Sequence, residues 1–159
     1  MVANPSKPGV YLIDPGTDSN LNLLPLGVGR IASYCRSLPK IADAFDCHVQ
    51  WLRRPVREAA EALVRPVAVG LPCYVWNTQA SLALARAIRA RHPDCLIVLG
   101  GASIPKRDDR VRAFLKENPC VDVLVRGDGE ITFAEILDAL ADGRELTGIA
   151  GIALRGPDQ

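Results

Sequence analysis

The sequence predicts an α/β domain: a doubly wound, five-stranded parallel sheet of flavodoxin-like or Rossmann-like type, with helices on both faces. Three observations predict it. Short apolar runs alternate with stretches of helical periodicity along the whole chain. Runs such as "CLIVLGG" lack the apolar-polar alternation of a half-exposed strand, as expected where helices cover both faces. Gly, Pro, Asn and Asp gather in the turns after four of the runs, "DPGTDSNLNLLPLG", "PCYVWN", "GGASIPKRDD" and "GDGE".

The strands read in order are 9–14, 48–54, 66–71, 95–101 and 121–126, with helices near 27–37, 56–64, 78–91, 108–117 and 130–141. The helix at 78–91 is the most explicit. Asn77 or Thr78 caps it, Leu82, Ala85 and Ile88 form an inward stripe, Arg86, Arg89 and Arg91 face water, and Pro93 stops it. With right-handed crossovers the expected strand order is 2-1-3-4-5, and the ligand edge lies at the carboxyl ends of the strands, near the switch point between the first and third. The four glycine-, proline- and amide-rich turns mark that edge, and two of them are long enough to suggest function. The expected organisation is an N-terminal tail over 1–8, one domain over 9–142, and a C-terminal strand or linker over 143–159.

Composition removes several functions. Nineteen basic and eighteen acidic side chains nearly cancel, and the arginines are scattered along helices without interleaved aromatics, which argues against nucleic acid as a partner. The segment "MVANPSKPG" has no apolar h-region and no stretch approaches a membrane span, so the expectation is a cytoplasmic protein with no membrane partner. Cys35, Cys47, Cys73, Cys95 and Cys120 are far apart and make no CxxC, so no zinc or iron–sulfur site is legible and they read as buried free thiols. His48 at a strand start and His92 at a helix end read as structural or surface residues. No metal ligand and no catalytic residue is assigned.

Three doubly wound families make demands that can be checked. Gly27, Gly29 and Ala32 spell GxGxxA, and Arg53 and Arg54 end the second strand where an NADP 2′-phosphate could lie. Yet the first glycine comes thirteen residues after Asp14, not in the tight turn directly after the first strand. A phosphoacceptor receiver needs an aspartate at the end of the third strand, where this chain has Pro72, Cys73 and Tyr74. A flavodoxin needs a short hydroxyl-rich loop after the first strand, and it is missing.

Taken together, "LPLGVGRIASYCR", "VGLPCYVWNTQASLALARAIRARHPDCLIVLGGASIP" and "VDVLVRGDGEITFAEILDAL" resemble the N-terminal cobalamin-binding domain of cobalamin-dependent radical SAM enzymes, chiefly methyltransferases. The most specific parts are "WN" after the third strand, "GG" after the fourth and "RGDGE" after the fifth. The resemblance implies that the domain holds cobalamin, as methylcobalamin or cob(I)alamin, and carries a methyl group from S-adenosylmethionine to a substrate. It further implies a radical SAM domain C-terminal in the same chain, with a [4Fe–4S] cluster, and makes "GIAGIALRG" the last strand before it. A stand-alone corrinoid carrier or sensor and an NADP-binding Rossmann protein remain the alternatives.

Many B12-binding modules ligate cobalt through the histidine of a DxHxxG motif, but the loop after the first strand contains no histidine. The resemblance therefore implies base-off, His-off binding. The implied cofactor residues are Leu24, Pro25, Leu26 and Gly27 in the first loop, and Cys73, Tyr74, Val75, Trp76 and Asn77 in the second. Gly100, Gly101, Ala102 and Ser103 follow in the third, and Arg126, Gly127, Asp128, Gly129 and Glu130 in the fourth. Trp76 is expected under the corrin, because a large flat side chain on a loop at the ligand edge is poorly placed for the core. The glycines are expected to admit the nucleotide tail, or else to serve turn geometry alone.

Overall fold

The structure is a computed structural model that describes residues 7–16, 25–51 and 54–156. In chain order the elements are β1 (Gly9–Ile13), α1 (Leu26–Ser37), α2 (Pro39–Ala44), β2 (Asp46–Gln50), α3 (Val56–Glu61) and β3 (Pro66–Pro72). They continue as α4 (Thr78–Arg91), β4 (Leu96–Gly100), α5 (Asp108–Glu117), β5 (Val123–Val125), α6 (Gly129–Ala141) and β6 (Ile152–Leu154).

The sheet order is β2-β1-β3-β4-β5-β6. The first five strands are parallel in the expected order, and β6 pairs antiparallel with β5, Val123 opposite Leu154. The sheet thus has six strands where five were expected, because the strand read within 148–156 joins this sheet at its edge. Arg155 fixes its end by donating from Nη2 to the carbonyls of Asn118 (2.6 Å) and Val121 (2.5 Å).

Other boundaries move for local reasons. β2 starts at Asp46, earlier than expected, because its register is set by β1, Gly9 opposite Asp46 and Ile13 opposite Gln50. α2 was not expected. Pro39 at the first helical position, behind the extended Leu38, starts it. α3 ends at Glu61, short of the expected 64, and the chain turns through Arg65 at φ 46° into β3. Arg89 does not face water: its guanidinium pairs with Asp122, whose Oδ2 also accepts from the Ile97 amide at 2.7 Å.

Alternating strand residues build two buried layers. Tyr11, Ile13, Val69, Leu71, Ile97, Leu99 and Leu124 pack with α3, α4 and α5, while Val10, Leu12, Ala68, Val98, Val123 and Val125 pack with α1, α2 and α6. Each fully buried leucine or isoleucine contributes on the order of 1.5–3 kcal/mol. All five cysteines are free and buried, and burial pushes the Cys35 and Cys95 thiols up to about 12. No helix among the described residues is long and apolar enough to cross a membrane.

Candidate functional site

At the carboxyl edge of the sheet the layer under α1 and α6 opens into a crevice of about 640 Å³. It lies at the switch point: the chain runs from β1 outward to β2 and returns to β3 on the other side of β1. Its floor is apolar, with Leu12, Val98 and Val125 from the strands and Phe133 from α6, and α1 adds Val28 and Ile31. Polar groups sit at the rim, Asp14 after β1 and Asp128 and Glu130 around the start of α6. The Arg30 Nη2 atom on α1 lies 3.0 Å from Glu130 Oε1, an ion pair between the two helices that flank the opening.

The turn from β3 to α4 is held from below by buried polar groups. Asn77, 1% exposed, accepts the Tyr74 amide at 2.9 Å on its Oδ1 and donates from Nδ2 to Asp14 Oδ1 at 3.4 Å. Asp14 Oδ1 also accepts from the Gly16 amide at 2.9 Å, so one side-chain amide ties the loops after β1 and β3 together. Thr78 Oγ1 donates to the Tyr74 carbonyl and Ser81 Oγ to the Pro72 carbonyl, each at 2.6 Å. The turn so fixed presents Trp76, 61% exposed, stacked on Tyr74 with ring centroids 5.0 Å apart. A large exposed aromatic on a tightly bonded turn is displayed rather than left over from the core.

The sequence-named residues divide into two groups. Pro25, Leu26, Gly27, Tyr74, Trp76, Gly100, Gly101, Gly127, Asp128, Gly129 and Glu130 line the crevice. Cys73, Val75, Asn77, Ala102, Ser103 and Arg126 do not. Cys73 is fully buried in the α4 layer, where desolvation chiefly raises its thiol pKa, and its main chain accepts the Ser103 amide at 3.0 Å. Val75 points to solvent, Ala102 and Ser103 are exposed, and Arg126 turns to Asp108 at 3.2 Å. Asn77 works from beneath the turn. Leu24 lies outside the described residues.

The glycines also separate. Gly101 has φ +126° and a side chain there would stand 2.8 Å from the Cys73 carbonyl oxygen, and Gly127 has φ +96°, so backbone geometry alone requires both. Gly100 differs. A Cβ there would meet only Val125, at 3.5 Å and 3.9 Å, so no protein contact forbids a side chain on that wall of the crevice. At Gly129 a Cβ would meet Ile31 Cδ1 at 3.0 Å, which keeps α1 and α6 close.

Sequence reasoning missed the floor and one wall. Leu12, Val98, Val125 and Phe133 look like any other core positions, and Gly70 interrupts β3 where Leu12 and Phe133 lean across the strand. Trp51, 44% exposed directly after β2, also lines the crevice. The sequence pattern places it within a longer second strand, and the strand's end at Gln50 is what frees it. Gly27 and Gly29 lie inside α1, not in a phosphate-binding turn, so the GxGxxA match has no dinucleotide geometry.

Neither histidine is near the opening. His48 stacks on Tyr11 at 4.7 Å on the α3–α4 side of the sheet, and His92 lies at the opposite end of α4 with a ring nitrogen 3.2 Å from the Ala60 carbonyl. Among the described residues no cluster of His, Cys, Asp and Glu could hold a bare metal ion. The fold and site define a doubly wound α/β domain whose switch-point crevice suits a bulky, mostly apolar organic ligand with polar edges.

A family model described as "B12 binding domain" matches residues 17–137, and the chain belongs to that family. It is 37% identical over 134 residues to the cobalamin-dependent radical SAM methyltransferase TokK of Streptomyces tokunonensis, covering 83% of this chain and 19% of TokK. Two solved structures share the fold at 18% identity. OxsB, a cobalamin-dependent S-adenosylmethionine radical enzyme with aqua-cobalamin bound, superposes with a TM-score of 0.75 over 97% of this chain and 22% of its own. The radical S-adenosylmethionine methyltransferase TsrM from Kitasatospora setae, with cobalamin and a [4Fe–4S] cluster bound, gives 0.71 over 96% and 30%. The chain spans about a fifth of the length of the first curated relatives it matches, 19% in each case.

Proposed function

We propose that the crevice holds cobalamin base-off and His-off, and that the domain is the cofactor-carrying part of a cytoplasmic, cobalamin-dependent radical SAM methyltransferase. In that enzyme a further domain of the same chain supplies the [4Fe–4S] cluster and the S-adenosylmethionine site. Cobalamin bound here supplies a cobalt centre that carries a methyl group between S-adenosylmethionine and the acceptor.

The residues present fit that group. The floor is apolar, Gly100 leaves a wall that a side chain would otherwise fill, and the rim carboxylates are acceptors suited to the amide and hydroxyl donors of a corrinoid. Leu26, Pro25 and the stacked Tyr74–Trp76 pair form an apolar lip that excludes water. Trp76 offers no lone-pair nitrogen, so it would cover a cobalt face without ligating it. Asn77 and Asp14 hold that lip in place.

The observation that carries the His-off reading is the position of the two histidines, one stacked on Tyr11 across the sheet and one at the far end of α4. Electron paramagnetic resonance of the bound cob(II)alamin tests it. The wild type should lack nitrogen superhyperfine splitting, and His48→Ala with His92→Ala should leave the spectrum unchanged. Trp76→Ala should alter it by admitting water to the lower face, and Trp76→His should introduce nitrogen splitting. Nitrogen splitting in the wild type that disappears in the double histidine variant would overturn the His-off reading. Parental spectra at full occupancy in both Trp76 variants would reassign Trp76 to contact with another domain.

A further inference from the structure

The crevice carries a cation to which the cofactor reading gives no role. Three carboxylates line it, Asp14, Asp128 and Glu130, and among the described lining residues there is a single cation, Arg30. A complete cobalamin carries a phosphodiester between the corrin side chain and its nucleotide, whereas cobinamide has neither phosphate nor nucleotide. Bringing that anion against an apolar floor and three carboxylates is unfavourable unless a cation or several donors meet it.

Arg30 is built for that meeting. It projects from the second turn of α1 at the crevice, and its side chain is 74% exposed even while Nη2 lies 3.0 Å from Glu130 Oε1. An ion pair this exposed contributes little and exchanges readily. The guanidinium fork matches two phosphate oxygens at once, which neither the indole nor the hydroxyl groups of the rim can do.

We infer that Arg30 determines specificity for the nucleotide-tail phosphodiester, leaving Glu130 for the phosphate when the ligand enters. Glu130, 23% exposed in the pair, is then released to accept a hydrogen bond from a corrin amide or a ribose hydroxyl. The paired state of the two helices is the resting arrangement, and the phosphate replaces the carboxylate as the partner of Arg30. This inference rests on the corrinoid reading of the crevice, and the two can fail separately.

The test compares affinities for cobinamide, cobinamide phosphate and hydroxocobalamin by corrin absorbance in equilibrium dialysis, at low and high salt. The wild type should bind cobinamide phosphate more tightly than cobinamide, with a difference that shrinks as salt rises. Arg30→Gln should lose that difference, an effect on the order of tenfold in affinity for the phosphate-bearing ligands, without weakening the binding of cobinamide, for which Glu130 is then free. Arg30→Lys should restore part of it, keeping the charge without the fork. Circular dichroism of the exposed-site variants serves as the control for folding. A wild type that binds no corrinoid sinks the cofactor reading. A wild type that binds all three corrinoids, with a phosphate increment that is absent or survives Arg30→Gln, sinks the role of Arg30 alone.

Discussion

On the α3, α4 and α5 side of the sheet, Ile13, Leu71, Leu99 and Leu124 give each of the four middle strands a large buried side chain, and the layer is filled to the strand ends. On the α1, α2 and α6 side Leu12 and Phe133 fill the space over Gly70, but β4 ends in Gly100 with only Val125 near it, and there the same sheet opens into the crevice. Successive residues of a strand point to opposite faces, so one face can lose bulk while the other keeps it. The difference teaches that the crevice opens where one layer lacks a side chain, at Gly100. The opposite layer keeps the fold stable.

The largest expected effect breaks the filled side. Leu99→Ala, at a fully buried position, should cost about 2–5 kcal/mol of unfolding free energy by transfer loss and cavity formation, read from urea denaturation. The protein that remains folded should keep its corrinoid affinity. A large loss of affinity at full folding would mean that the two layers are not independent.

A smaller effect should come from the open side, where the consequences are reversed. Gly100→Val adds a side chain with only Val125 near its first carbon, at 3.5 Å, so the ligand-free protein should stay close to wild-type stability. Corrinoid binding should weaken by about 1–3 kcal/mol as the added methyls occupy the crevice. Undiminished binding in a folded variant would place the ligand on the other walls.

The smallest effect compares the layers through their thiols. Cys35 lies in the α1 layer and Cys95 in the α4 layer, and burial, the leading cause in both, raises each from 9.0 to about 12. Between pH 9 and 12 the unfolded chain releases these protons while the folded chain holds them. Their contribution is therefore fully present below pH 9 and is lost as pH rises through that window. Urea midpoints between pH 8 and pH 10.5 should fall less steeply in Cys35→Ala and in Cys95→Ala than in the wild type. A similar flattening in both would show that the crevice leaves its own layer as dry as the filled one at the level of Cys35. A flattening confined to Cys95→Ala would show that water reaches Cys35.

Much of the site edge was legible, because glycine, proline and amide residues concentrate where strands turn into helices. The loops carrying Tyr74, Trp76 and Gly127 to Glu130 were found that way and do border the crevice. Val75, Ala102 and Arg126 share those turns without lining the crevice, Val75 exposed to solvent and Arg126 turned to Asp108. Asn77 is one of the two helix caps that the sequence offers. It sits at that position without making a side-chain cap bond, and spends its amide on Tyr74 and Asp14 instead.

By itself the sequence determined the alternation of strands and helices, the parallel order of the first five strands and the absence of histidine from the first loop, since periodicity, turn chemistry and composition are local. Tertiary structure alone decided which glycines were open and which were strained, that Arg30 faces Glu130, that Trp51 joins the crevice, and that 152–154 closes the sheet. Those facts depend on which side of a strand or helix meets another element far away in the chain. A linear pattern records a residue's period but not its distant neighbour.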